Sequence, residues 1–198
     1  MKTSITLAST SGMKKQRSGA NMLKHLFIIG CTAAFVGGFV TGKSAFAYSQ
    51  QDEVTCLADN MYWEARNQPI KGMIAVALVT MNRVADDRYP DTVCQVVEQG
   101  PTRPSWKDPS VYYPVRHRCQ FSWYCDGKGD TIPTQDLDIY DVIVAYAYKI
   151  YQFHGSNGLK DFTDGATHYH ADYVRPAWAE TKTPTVKIGA HIFYRWEK

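Results

Sequence analysis

A mainly helical α+β domain with a short β region near its C-terminus is the fold class this sequence predicts. Three observations carry the prediction. Apolar residues recur with helical period over residues 52–66, 71–84 and 136–153. Short alternation of β-branched and aromatic residues sets in only from about residue 167. Four cysteines follow a segment patterned as an export leader. Helices first and strands last, without a repeating strand–helix order, is the arrangement of an α+β domain.

The leader bears on what folds. Residues 1–25 carry Lys2, Lys14, Lys15, Arg17 and Lys24 and no acid, residues 26–40 are apolar or small, and Ala45-Phe46-Ala47 is a small-x-small cleavage signal. That order is a secretory signal peptide, with cleavage expected before Tyr48, so residues 1–47 are expected to form the leader and residues 48–198 the folded domain. The 15-residue apolar run is shorter than the roughly 20 residues a membrane-spanning helix needs. An uncleaved or slowly released signal anchor is the alternative, and a membrane is expected as a partner only through this leader. The domain is expected in the periplasm or cell envelope.

The whole chain is +3, but residues 48–198 hold 16 basic and 19 acidic side chains, a net charge of −3. The domain has no basic footprint for nucleic acid, and none is expected as a partner. Its 151 residues are enough for one domain with a single core, expected to be a monomer. Cys31 leaves with the leader; Cys56, Cys94, Cys119 and Cys125 remain, and an even number in an exported domain favours two disulfides. Of three connectivities, Cys119–Cys125 closes a short local loop and Cys56–Cys94 ties the first helix to a segment 38 residues on; this pairing is favoured. A four-cysteine zinc site lacks the usual Cys-x-x-Cys spacing.

Along the domain, Asp52 to Arg66 reads as a helix with Val54, Leu57, Ala58, Met61 and Ala65 on one face, stopped by Asn67-Gln68-Pro69. A second helix, about Lys71 to Val84, is apolar nearly all round and so should be buried. Ala85 to Pro90 is a turn and Thr92 to Gln99 a short helix. Residues 100–134, with five prolines, read as a long irregular segment whose cysteines argue for an ordered functional loop. Asp136 to Phe153 is a helix with Leu137, Tyr140, Val144, Ala147 and Tyr151 in one stripe. Residues 167–170 and 186–196 supply the strands.

Glu64 is the leading candidate for chemistry. It borders the apolar stripe of the first helix, between aromatic neighbours Tyr62 and Trp63 and before Arg66. Desolvation raises a carboxyl pKa and suits the group to general-acid work near neutral pH; the bland alternative is a surface glutamate paired with Arg66. The run Cys119 to Gly127, with Phe121, Ser122, Trp123, Tyr124 and Asp126, suits sugar binding through ring stacking and polar contacts, or else a pinned structural loop. His168 and His170 share one face of a strand and could hold a metal with Glu64 or Asp172, but His-x-His alone is a weak signal and hydrogen-bonded histidines are commoner. No metal or cofactor is expected. No Gly-x-Ser-x-Gly supports a serine hydrolase.

Taken in order, Cys56 to Arg66, Gly72 with Ala75-Val76-Ala77, Asn82-Arg83-Val84, Tyr89 to Cys94, Cys119 to Gly127, Ala166 to His170 and Ile188 to Arg195 resemble the SleB-type cell wall hydrolases. The resemblance spans nearly all of the mature chain, and its cysteine-bearing Phe-Ser loop is similar to the Gram-negative branch or a phage branch of that family. No separate peptidoglycan-binding repeat is present, unlike the longer spore members. The resemblance implies a small lysozyme-like domain that cleaves the glycan strand of peptidoglycan between N-acetylmuramic acid and N-acetylglucosamine. It places the catalytic glutamate at Glu64 and groove residues at Phe121, Ser122, Asp126, Thr167 and Tyr169.

No second acid lies near Glu64 in the sequence, with Asp126 and Asp87 the candidates if one exists. A two-carboxylate glycosidase needs such a pair. The resemblance instead implies lytic transglycosylation, in which an internal hydroxyl of the sugar is the nucleophile and one glutamate suffices. Two alternatives remain: a zinc N-acetylmuramoyl-L-alanine amidase using His168 and His170, and a non-catalytic peptidoglycan-binding module.

Overall fold

Ser49 sets the start of the first helix, α1 (Gln50–Ala65). Its side chain accepts the Asp52 amide while the Asp52 carboxylate accepts the Ser49 amide, a reciprocal capping box that places the helix start before Asp52. In the computed structural model the described residues are 48–197; the expected leader and its cleavage signal lie outside them. The expected stripe of Val54, Leu57, Ala58, Met61 and Ala65 is buried throughout. Among the described residues no helix is long and apolar enough to cross a membrane.

The second helix, α2 (Ile70–Val84), is the middle layer. Met73, Val76, Ala77, Leu78 and Met81 join the larger core with α1, α3 (Val93–Glu98) and α4 (Leu137–Phe153). Ala75 and Val79 pack the other way, against Ala166, Ile188 and Phe193 of the β region. That two-sided burial is why the helix is apolar nearly all round. The short α3 is held at its start by Thr92, which caps Gln95, and by the buried Glu53 of α1, whose carboxylate accepts the amides of Val93 (2.6 Å) and Cys94 (3.2 Å). Two otherwise orphaned helical donors are thereby satisfied. The Cys56–Cys94 disulfide adds a covalent tie between the same two helices.

On α4 the stripe is rotated from the expected one. Ile143, Ala147 and Ile150 are buried, Tyr140, Val144 and Tyr151 flank them, and Leu137 is 45% exposed. The Tyr140 hydroxyl explains the rotation, because it reaches out to the Asp59 carboxylate of α1 at 2.5 Å and so sits at the helix edge.

Residues 100–134 are less irregular than expected. They contain an antiparallel hairpin, β1 (Thr102–Pro104) with β2 (Tyr112–Pro114), and a 3-10 turn at Ser122–Cys125 inside the Cys119–Cys125 disulfide loop. Three-residue strands ending in proline are too short to show a period.

The C-terminal sheet is antiparallel, in the order β3 (His168–Ala171), β5 (His191–Arg195), β4 (Thr183–Ile188). Gly189 turns β4 into β5 with φ +57, and its amide neighbour Ala190 donates to the Gln68 side chain at 2.9 Å. This contact docks the sheet on the α1–α2 turn. Among the described residues, four α-helices and two small antiparallel sheets make the fold α+β.

Candidate active site

Glu64 sits in the last turn of α1, half-buried beside the core stripe. Strand β3 reaches it from a residue 105 positions away: the Tyr169 hydroxyl donates to Glu64 Oε2 at 2.8 Å. Strand alternation produces this meeting. Tyr169 points inward with its partner Phe193, whereas His168 and His170 face the opposite side against Trp178.

Arg83, in the last turn of α2, completes the cluster. It is buried, its Nε donates to the Thr167 carbonyl at 2.8 Å, and its guanidinium lies 5.0 Å from the Phe121 ring centre and 5.4 Å from that of Tyr89. Its Nη1 is buried without a hydrogen-bond partner among the described residues. Burial works against the arginine's charge, while Tyr89, Tyr169 and Glu64 favour it.

These surroundings act on Glu64 in opposite senses. Burial pushes its carboxyl above the ordinary glutamate value; the Tyr169 hydrogen bond and the Arg83 charge pull it down, and burial prevails. The Tyr169 hydroxyl is itself raised, by burial first and then by the Glu64 charge and hydrogen bond. No carboxylate is among the groups that shift Glu64. Arg66, its alternative partner from the sequence, folds back over Tyr62 and Trp63 and donates to the Tyr62 hydroxyl at 3.1 Å.

Two amides brace the site, Asn60 buried and Asn82 half-buried. Asn60 of α1 donates to Thr80 of α2 (3.0 Å) and accepts the Trp123 indole N–H (2.9 Å), and Trp123 stacks on Trp63 with ring centres 6.3 Å apart. The disulfide loop is thus tied to the turn that carries Glu64. Asn82 of α2 donates to Asp161 (2.9 Å) and to the Ala166 carbonyl (3.0 Å) and is bonded to His154 (2.9 Å), fixing the segment that enters β3.

The structure sorts the expected groove residues. Phe121 and Thr167 are buried and meet Arg83 by ring and carbonyl respectively, so Phe121 lies beneath the cluster and not along an open groove wall. Tyr169 touches Glu64 directly. Ser122 is exposed at the start of the 3-10 turn. The Asp126 carboxylate accepts the Lys128 amide at 2.8 Å, faces its ammonium at 3.4 Å, and is held below the usual aspartate range chiefly by that amide. Neither Ser122 nor Asp126 forms a hydrogen bond with Glu64 among the described residues. The histidines have other partners: His168 Nδ1 meets Thr167 Oγ1 at 3.0 Å, and His170 bonds the Ala171 carbonyl and the Tyr194 hydroxyl, each at 2.9 Å.

Arg83 is the residue that sequence reasoning gave no role. Its signal was a cation near the end of a helix that is apolar nearly all round, where a charge must find partners inside the protein.

The folded domain is similar to known proteins. The family described as cell wall hydrolase matches residues 67–194, a segment that opens just after Glu64. The spore cortex-lytic enzyme of Bacillus cereus is 25% identical over 146 residues, covering 74% of this chain and 45% of that protein. This chain therefore spans under half the length of that relative. The crystal structure of the catalytic domain of the Bacillus cereus SleB protein superposes with a TM-score of 0.51 at 25% identity, over 78% of this chain and 99% of the other. The catalytic domain of the germination-specific lytic transglycosylase SleB from Bacillus anthracis gives the same score and identity, over 76% and 98%. With a match across most of the folded domain and the same α+β arrangement, this chain belongs to the cell wall hydrolase family.

Proposed function

We propose that the protein cleaves peptidoglycan glycan strands between N-acetylmuramic acid and N-acetylglucosamine as a lytic transglycosylase, with Glu64 as its sole acid and base. The observation that carries the proposal is a half-buried carboxyl raised by desolvation and fixed by Tyr169, with no carboxylate of the described residues among the groups that shift it. The Bacillus anthracis relative, named a lytic transglycosylase, supports the same reading.

The geometry suggests the order of events. Tyr169 donates to Oε2, so the acid proton belongs on Oε1, which accepts no hydrogen bond among the described residues. From there it passes to the glycosidic oxygen as the bond to C1 of the muramic acid breaks and an oxocarbenium-like sugar forms. The muramic acid 6-hydroxyl then bonds to C1, and its proton returns to the Glu64 carboxylate. The nucleophile is already part of the substrate, so no second protein acid is needed. The transient carboxylate is favoured by the Tyr169 hydrogen bond and the nearby Arg83 charge. Ser122, exposed on the disulfide loop, and Asp126 remain candidates to meet sugar hydroxyls, while Thr167 and Phe121 act through Arg83.

Glu64→Gln should lower release of fragments from purified peptidoglycan by about 10²–10⁴-fold, the usual worth of a general acid. Undiminished release by that variant would sink the assignment. Mass spectrometry of the wild-type products should show 1,6-anhydro ends; reducing ends instead would mean hydrolysis. We also propose export with removal of residues 1–47, which N-terminal sequencing of the envelope-associated protein checks by finding Tyr48 first.

A further inference from the structure

We infer that the β1–β2 hairpin is a second binding site, taking the carboxylate-bearing peptide stems of a peptidoglycan strand while Glu64 works on its sugars. The inference rests on the function proposed above.

Charge is the first argument. Residues 101–118 carry four basic side chains, Arg103, Lys107, Arg116 and Arg118, against Asp108 alone; the rest of residues 48–198 holds 12 basic and 18 acidic side chains. A positive arm therefore stands on a negative domain, a distribution that recruits anionic ligands to one place. Asp108 forms no ion pair among the described residues; its Oδ1 accepts the amide and hydroxyl of Ser110 at 2.9 and 2.7 Å. Arg103 and Lys107 are exposed and form no ion pair among the described residues.

Shape is the second argument. Arg103, Trp106, Lys107 and Tyr113 line a concave site of about 440 Å³. Trp106 is 88% exposed and Tyr113 54% exposed, and the Lys107 ammonium lies 5.2 Å from the Trp106 ring. Aromatic faces beside two cations that have no ion-pair partner among the described residues match a ligand with an apolar body and carboxylate ends. The concavity favours a strand lying within it over a flat lipid surface.

Placement points the same way. The hairpin is braced on the loop that borders Glu64: the His117 amide donates to the Cys125 carbonyl and Arg116 Nε to the Asp126 carbonyl, both at 2.9 Å. That same loop sends Trp123 onto Trp63, the neighbour of Glu64. A polymer held by the hairpin is thus held by a part of the molecule hydrogen-bonded to the loop that packs on the helix carrying Glu64.

Binding can be read without turnover by sedimenting the Glu64→Gln protein with purified sacculi. In that background Arg103→Glu/Lys107→Glu should weaken binding about tenfold or more, Trp106→Ala should weaken it several-fold, and Arg103→Lys should retain it. The charge-reversal loss should vanish on sacculi whose carboxyls have been amidated, and in about 0.5 M salt, whereas the Trp106→Ala loss should persist in both. Circular dichroism confirms that each variant is folded, and Trp106→Ala keeps the test valid if the charge reversal disturbs the hairpin. Equal binding of all variants to untreated sacculi overturns the inference. So does tighter, hairpin-dependent binding to phosphatidylglycerol vesicles, which would assign the arm to a membrane. If wild-type protein cleaves no glycan yet binds sacculi through the hairpin, the catalytic reading fails and this one stands; cleavage without hairpin dependence is the reverse case.

Discussion

At the scale of single residues the site turns on one carboxyl and two groups that temper it. The Tyr169 hydrogen bond lowers the Glu64 pKa that burial has raised. Tyr169→Phe should therefore shift the alkaline limb of the pH–rate profile to higher pH. It should also slow the reaction about 10- to 100-fold, the worth of a hydrogen bond to a charged group. A slower enzyme with an unmoved profile would deny the tuning role. Stability responds to the same group with a definite sign. Because the folded carboxyl is raised above 4.5, its ionisation disfavours the folded state as pH climbs from 4.5 through the folded value. Glu64→Gln should then melt higher than wild type at pH 7, with the difference narrowing at pH 4 and below. Equal differences at both pH values would contradict this. Glu64 was legible in sequence because its aromatic neighbours and the helix stripe are local. Arg83 was not, since its partners are the Thr167 carbonyl and the Phe121 ring, 84 and 38 positions away in the chain.

At the scale of elements, legibility followed length and period. Three long helices and the late strands declare themselves through repeating apolar spacing, whereas β1 and β2 are too short to repeat anything. The rotation of α4 was hidden because Tyr140 satisfies a helical stripe yet is held outward by Asp59. The joint between the α1–α2 turn and the sheet is a second feature with no sequence period. At Gly189 an added Cβ would stand 2.3 Å from Gln68 Oε1, at a positive φ that favours glycine. Gly189→Ala should cost about 1–3 kcal/mol, measured as a lower urea midpoint with unchanged slope. Adding Gln68→Ala should recover part of that loss, since the two residues touch. Full additivity would place the cost elsewhere.

For the whole molecule, the half-buried His168 and His154 and the buried His191 oppose acid. His168 is lowered to about 4 by burial, then by the charges of Arg83, Lys182 and Arg88; Tyr89, Trp178 and Trp196 surround its ring. His154 and His191 are lowered in the same direction, by burial in both cases. A depressed histidine contributes stability that is complete above its unfolded value of 6.5 and is lost as pH falls through the folded value. The melting temperature should thus fall between pH 6.5 and 4, and His168→Gln, which retains a partner for Thr167, should flatten that fall. An unchanged acid slope in the variant would remove His168 from the account. Glu64 acts in the opposite direction, so greatest stability belongs in the weakly acid to neutral range.

What the sequence by itself determined is local or covalent in origin. The helical periods, the strand alternation, the position of Glu64 at the edge of an apolar stripe and the loop lengths favouring Cys56–Cys94 and Cys119–Cys125 all follow from residues near one another in the chain. Only the tertiary structure decided that Tyr169, and neither histidine beside it, meets Glu64, and that a buried Arg83 stands close enough to act on both. A carboxyl's acidity is set by the solvent it loses and the charges it gains, and those depend on distance in space between segments more than a hundred residues apart.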